Sequence, residues 1–146
     1  MPSPAIDLGP LVKRAGYMLR RAYIVVHDEG IAAFAKHQLR PQQFGILLFL
    51  EHAPGSQQGD VAQALGMLPP NFGVELRPLV QRKLVRRRKA PADARVLTLD
   101  LTSAGKDLLR AAKKTDARLD QSFERKIGTT GRNQLLKLLL KLAELD

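Results

Sequence analysis

Eight basic side chains crowd residues 77–100: Arg77, Arg82, Lys83, Arg86, Arg87, Arg88, Lys89 and Arg95. Only Asp93 and Asp100 oppose them, so this stretch carries a net charge of +6. Cations at this density neutralise phosphates, and each one seated on a nucleic-acid backbone releases a condensed counterion. Elsewhere the charge is even or diluted. Residues 1–76 hold six basic and six acidic groups, and residues 101–146 hold ten against six, mixed along their length. The formal total of +10 over 146 residues therefore points to a polyanionic partner met mainly at one place.

Other chemistry is sparse. His27, His37 and His52 are spaced ten and fifteen apart, which matches no metal motif. No glycine-rich phosphate loop, nucleophile elbow or paired-carboxylate signature occurs. Asp28-Glu29 reads as a solvated helix face. The absence of cysteine excludes a disulfide scaffold, a thiolate metal site, a catalytic thiol and sensing by thiol oxidation. The expectation is a protein that is not an enzyme, with no catalytic residues, no metal and no cofactor. The N-terminus lacks a basic start followed by an apolar run, and the longest apolar run, residues 44–50, is far short of a bilayer span. A cytoplasmic protein without membrane contact is expected, and 45% hydrophobic residues suit one globular protomer.

The elements that must position the basic cluster follow from periodicity. Leu8, Leu11, Val12, Ala15, Leu19, Ala22, Tyr23 and Val26 recur at helical spacing, predicting a first helix over about residues 7–37 with a bend at Gly30. A second helix starts at Pro41, where a fixed φ suits the first turn, and breaks at Ala53-Pro54-Gly55. Ser56 is the expected N-cap of a short third helix reaching Leu65. A turn through Gly66 leads to a fourth helix that opens at Pro69-Pro70 and buries Phe72, Leu76, Leu79 and Val80. This pair is a helix-turn-helix pattern. Pro78 predicts a kink or an early end to the fourth helix. Residues 84–89 and 95–101 read as strands around the turn-forming Ala90-Pro91-Ala92-Asp93-Ala94. A basic hairpin directly after a helix-turn-helix is a winged-helix arrangement, so the fold class is mainly α with a small β-hairpin. Thr102 caps a fifth helix, expected to reach Phe123. The last helix, about residues 130–145, has seven leucines and only Lys137, Lys141 and Glu144 as a polar stripe. Such a helix must bury most of its circumference, which predicts a second copy of the chain as its cover.

These residues resemble the multiple antibiotic resistance regulator (MarR) family of bacterial transcription factors. The resemblance rests on Leu39-Arg40-Pro41-Gln42-Gln43-Phe44 and Val61-Ala62-Gln63-Ala64-Leu65-Gly66. It continues through Leu84-Val85-Arg86-Arg87, Asp93-Ala94-Arg95 and Leu101-Thr102-Ser103-Ala104-Gly105, in that order. It implies a two-fold homodimer held by residues 1–38 and 103–146, around a winged helix-turn-helix over residues 39–102. The implied partner is double-stranded DNA with a pseudo-palindromic operator. Helix 70–83 would enter the major groove and the wing 84–101 the minor groove. The implied action is repression, released by a small aromatic or phenolic effector.

Carried over by position, Arg95 resembles the family's wing-tip arginine, and Asp93 its structural partner, with Arg87 at the position usually paired with that aspartate. Arg86, Arg88 and Lys89 are then phosphate contacts. The start of the fourth helix departs from the family, which favours serine, threonine or basic residues there. Leu68, Pro69, Pro70, Asn71, Gly73 and Val74 stand in their place. Asn71 is either a reader of adenine or a capping residue, while Glu75 and Arg77 lie further along as candidate DNA contacts. Lys83 stands where a glycine is common, which predicts that this helix lacks a left-handed cap. The family would place an effector between the first, second and fifth helices, making Tyr17, His27, Phe44, Phe49 and His52 candidate lining residues. The competing reading is a winged-helix module for a ligand or protein, with weak, non-specific DNA binding.

Overall fold

The computed structural model describes residues 6–145; residues 1–5, at the start of the expected N-terminal dimerisation segment, and Asp146 lie outside them. A 3-10 turn, Gly9–Lys13, leads through an extended Arg14 into α1, Ala15–Phe34, and a second 3-10 turn, Ala35–His37. Then come α2 (Pro41–His52), β1 (Ser56–Gln57), α3 (Gln58–Ala64), α4 (Pro69–Gln81), β2 (Val85–Lys89), β3 (Leu97–Leu101) and α5 (Ser103–Leu142). The first helical segment is thus three pieces rather than one. Gly30 does not bend α1. It is buried, and an added Cβ would meet Pro41 Cγ at 3.0 Å, so its role is close passage of α2.

The core is built around α2. Ile46, Leu47 and Leu50 are fully buried with Val61 of α3, Phe72, Leu76 and Leu79 of α4, Leu99 of β3 and Leu109 of α5. Burial of this many large apolar groups at about 25 cal/mol per Å² is what holds α3 and α4 in a fixed mutual pose. The sheet has the order β1-β3-β2, all antiparallel, with Val85 opposite Leu101 and Lys89 opposite Leu97. Ser56 is a strand residue opposite Leu99, not a helix cap; its hydroxyl instead donates to the Ala53 carbonyl at 2.6 Å.

The end of α4 is stitched to the start of α5. Thr102 Oγ1 donates to the Lys83 carbonyl at 2.6 Å and accepts from the Gly105 amide at 3.0 Å, capping α5 as its position suggests. A Cβ on Gly105 would lie 2.1 Å from the Leu84 carbonyl oxygen, so only glycine fits this crossing. The left-handed cap on α4 is present despite the missing glycine. Lys83 takes φ +56°, and the Leu84 amide reaches back to the Leu79 carbonyl at 2.9 Å, the six-residue closure of a Schellman motif. A left-handed conformation costs an L-residue about 1–2 kcal/mol.

Nor does α4 end at Pro78. It continues to Gln81, because Leu79 is fully buried and the Arg82 amide bonds the Pro78 carbonyl at 2.9 Å. The bond that Pro78 cannot make is to the carbonyl of Val74, a residue on the exposed side of the helix.

The two expected C-terminal helices form one long element interrupted at Gly128, whose φ of 76° and ψ of 161° are not helical. Beyond that break Leu135, Leu136, Leu138 and Leu142 remain exposed, as do Leu19, Ile24 and Val25 of α1. This single protomer leaves the leucine-rich helix uncovered.

Candidate nucleic-acid interface

The wing presents its charge on a short, well-closed hairpin. The Ala90 amide bonds the Val96 carbonyl at 2.8 Å, and the Val96 amide bonds the Asp93 carbonyl at 3.0 Å. Asp93 holds Arg95 three ways: Oδ1 accepts from the backbone amide at 3.0 Å and from Nε at 3.2 Å, and Oδ2 accepts from Nη2 at 3.3 Å. These bonds keep the Asp93 carboxyl below its ordinary value. The Arg95 side chain is nevertheless 91% exposed. A guanidinium that is oriented yet solvated loses little freedom when it meets an anion.

The pairing expected of Arg87 and Asp93 is not formed. Arg87 sits mid-strand opposite Leu99, below the last rung of the hairpin, whereas Asp93 lies in the tip, where Arg95 is nearer. Along β2, Arg86 and Arg88 share one face while Arg87 and Lys89 take the other, since strand side chains alternate. All four are exposed.

On α4, Asn71 and Arg77 lie on the exposed side with Val74, whereas Glu75 does not. Glu75 is buried: Oε1 accepts from Arg40 Nη1 at 3.1 Å, and its backbone carbonyl accepts from Gln43 Nε2 at 3.3 Å. It falls on the same face as Phe72, Leu76 and Leu79, so helical geometry turns it inward and removes it from the candidate base contacts. Asn71 is not the helix cap either. Leu68 occupies that position, with no side-chain cap bond.

Sequence reasoning missed two arginines. Arg40 binds Glu75, and Arg82 donates to the carbonyls of Gln38 at 2.6 Å and His37 at 3.2 Å. Together they fasten the middle and the C-terminal end of α4 to the α1–α2 connection. His37 in turn lies 2.8 Å from the buried Thr115 hydroxyl of α5, and burial, followed by the Lys36 charge, lowers its pKa. Their partners are remote in sequence, so no local pattern signals them.

A cavity of about 570 Å³ opens where α1, α2 and α5 meet the α3–α4 turn. His27 and Phe44 line it, as expected; Tyr17, Phe49 and His52 do not. Tyr17 stands nearer the start of α1 than the lining stripe of Tyr23, His27, Gly30 and Phe34. Phe49 packs toward the core, edge-on to His52 at 6.5 Å between ring centroids. Tyr23 is the aromatic that belongs there, its ring stacked on His27 at 5.3 Å. The far wall is polar. Arg132, from beyond the Gly128 break, bonds Asp120 through Nε at 2.8 Å and Nη2 at 2.7 Å. Burial, then the Asp120 charge, raises the Asp116 carboxyl above its ordinary value. No group of three or more metal-ligating acidic or histidine side chains occurs among the described residues, and no described helix is long and apolar enough to cross a membrane.

The same architecture occurs in solved regulators. The transcriptional repressor CouR bound to a 23-mer DNA duplex superposes with a TM-score of 0.89 at 36% identity, covering 96% of this chain and 99% of that one. The MarR family profile matches residues 37–96. The chain belongs to the MarR family. Like other members of this family of transcriptional regulators, it has curated relatives among repressors. The HTH-type transcriptional repressor Rv2887 of Mycobacterium tuberculosis is 25% identical over 127 residues, covering 87% of this chain and 91% of the relative. CouR bound to p-coumaroyl-CoA superposes with a TM-score of 0.86 at 35% identity, covering 95% and 98% of the two chains. This MarR protein is therefore a DNA-binding transcriptional regulator.

Proposed function

We propose that this MarR protein is a homodimeric, cytoplasmic repressor that binds a pseudo-palindromic operator and leaves it when a small aromatic effector binds. The observation that carries the reading is Arg95, held by Asp93 at the tip of a basic hairpin yet almost fully solvated, lining one surface groove with Pro69 at the start of α4. An arginine so presented suits a narrow minor groove, where negative potential is concentrated. α4 then faces the adjoining major groove, and Arg86, Arg88 and Lys89 bond phosphates. Residues 103–146, with the start of the chain through residue 38, form the dimer. Their exposed leucines, with the apolar face of α1, supply the surface that a second copy covers, and two-fold symmetry matches a palindromic site.

The cavity between α1, α2 and α5 is the effector site. Its aromatic wall suits a flat ring and its polar wall a hydroxyl. The CouR complex supports an aromatic acyl thioester as the class to try first. The test is anisotropy of a labelled operator, obtained by selection from a random DNA pool. Nanomolar binding that p-coumaroyl-CoA reverses supports the whole reading. Operator binding untouched by the thioester overturns the effector class alone. Equal affinity for all DNA favours the competing reading, a ligand or protein module, which the unpolar start of α4 admits.

A further inference from the structure

The start of α4 breaks the local rules for a helix. Its N-cap is Leu68, where serine, threonine, aspartate or asparagine would accept a bond from the first turn, and no cap bond is made. The leucine is 71% exposed. Two positions follow as Pro69 and Pro70, which abolish two of the four amide donors that a helix start otherwise offers. One turn on, Val74, a branched residue with modest helix propensity, is 56% exposed. Neither apolar side chain stabilises the protomer by burial. Val74 lies on the side of α4 opposite Phe72, Leu76 and Leu79, and Leu68 is exposed at the helix start; the two stand three residues to either side of Asn71. Departures from local consistency with no folding benefit belong at functional sites.

A helix end with two of its four amide donors removed has little backbone to offer guanine or phosphate oxygens. What it offers is methyl and methylene surface around one carboxamide. Within the major groove one base carries an apolar group, the 5-methyl of thymine, and a carboxamide pairs bidentately with adenine. The basic residues of the adjoining wing supply the attraction that brings this neutral surface to DNA. We propose that Leu68 and Val74 read thymine methyl groups and that each operator half-site therefore presents thymines beside the adenine met by Asn71. This rests on the repressor reading above and names the chemistry its recognition helix selects.

The test uses the full chain and an operator enriched from random DNA, in which thymines are replaced one at a time by deoxyuridine. Loss of a contacted methyl is expected to weaken binding about three- to fivefold, the equivalent of one buried methylene. Val74→Ser should weaken binding to the thymine operator by a similar factor and lose its sensitivity to deoxyuridine at one position. Val74→Thr, which keeps a methyl, should restore both. Leu68→Ser should do the same at a second position while raising Tm, because it installs a helix cap, so a loss of affinity there is not a loss of fold. If no deoxyuridine matters, or if it matters equally to wild type and the serine variants, methyl reading is wrong while sequence-specific binding stands. If no sequence is enriched at all, the repressor reading falls and this inference with it.

Discussion

The wing and the start of α4 lie beside each other and are built on opposite principles. The wing is charged, exposed and internally bonded, with Asp93 holding the arginine at its tip. The head of α4 is neutral, apolar and short of donors, and its single acid, Glu75, is turned into the protein under Arg40. The first surface suits attraction that varies little with sequence and strongly with salt; the second suits weak but selective contact with base edges. Affinity and selectivity are thus assigned to separate elements, which makes each open to separate perturbation.

The largest effect expected is at the wing tip. Arg95→Ala should weaken operator binding about ten- to a hundredfold, measured by anisotropy, with the dimer unchanged by light scattering. Retained affinity would move the burden to α4 and dissolve the contrast. Lys83→Gly relieves a left-handed lysine and should stabilise the fold by about 1 kcal/mol, seen in thermal or denaturant unfolding. Because Lys83 joins the two regions, that gain should leave selectivity unaltered.

Smaller still is the change expected for Arg88→Gln. Binding to operator and to random DNA should fall by the same modest factor, and the log–log salt slope should decrease by about 0.9. A loss confined to the operator would make β2 a reader rather than a holder.

The smallest effect concerns pH. Asp93 has a folded pKa lowered by its bonds to Arg95, so whatever it contributes is complete above the unfolded carboxylate value and lost only as pH falls through the lower, folded one. Operator affinity should then show no wing-derived change between about pH 5 and 8. Asp93→Asn, which keeps one acceptor for Arg95 and loses the charge, should weaken operator binding only slightly at neutral pH, far less than Arg95→Ala.

Much of this was legible in the chain because the signals are local. Pro41 opens α2, Thr102 caps α5, and alternation in residues 97–101 gives β3 its register. What failed was decided by distant partners. Ser56 carries a capping residue's chemistry, yet β3 recruits it as a two-residue strand. Glu75 is polar at a buried helical position, and only the incoming Arg40 explains how it is accommodated. Gly30 suggests a bend until Pro41 is seen against it, and Asp93 chooses Arg95 by proximity in a loop that sequence spacing does not describe. The cavity lies among the helices where the family would place an effector, and on α1 its lining includes Tyr23 and not Tyr17.

The division of labour is tested most directly by titrating salt against binding of one protein preparation to its selected operator and to a random duplex of equal length. The account requires two parallel log–log lines, their slope set by shared phosphate contacts and their separation, about a thousandfold or more, by the base contacts of α4. Lines that coincide would contradict it, leaving a basic wing that binds any DNA and a recognition helix that reads nothing.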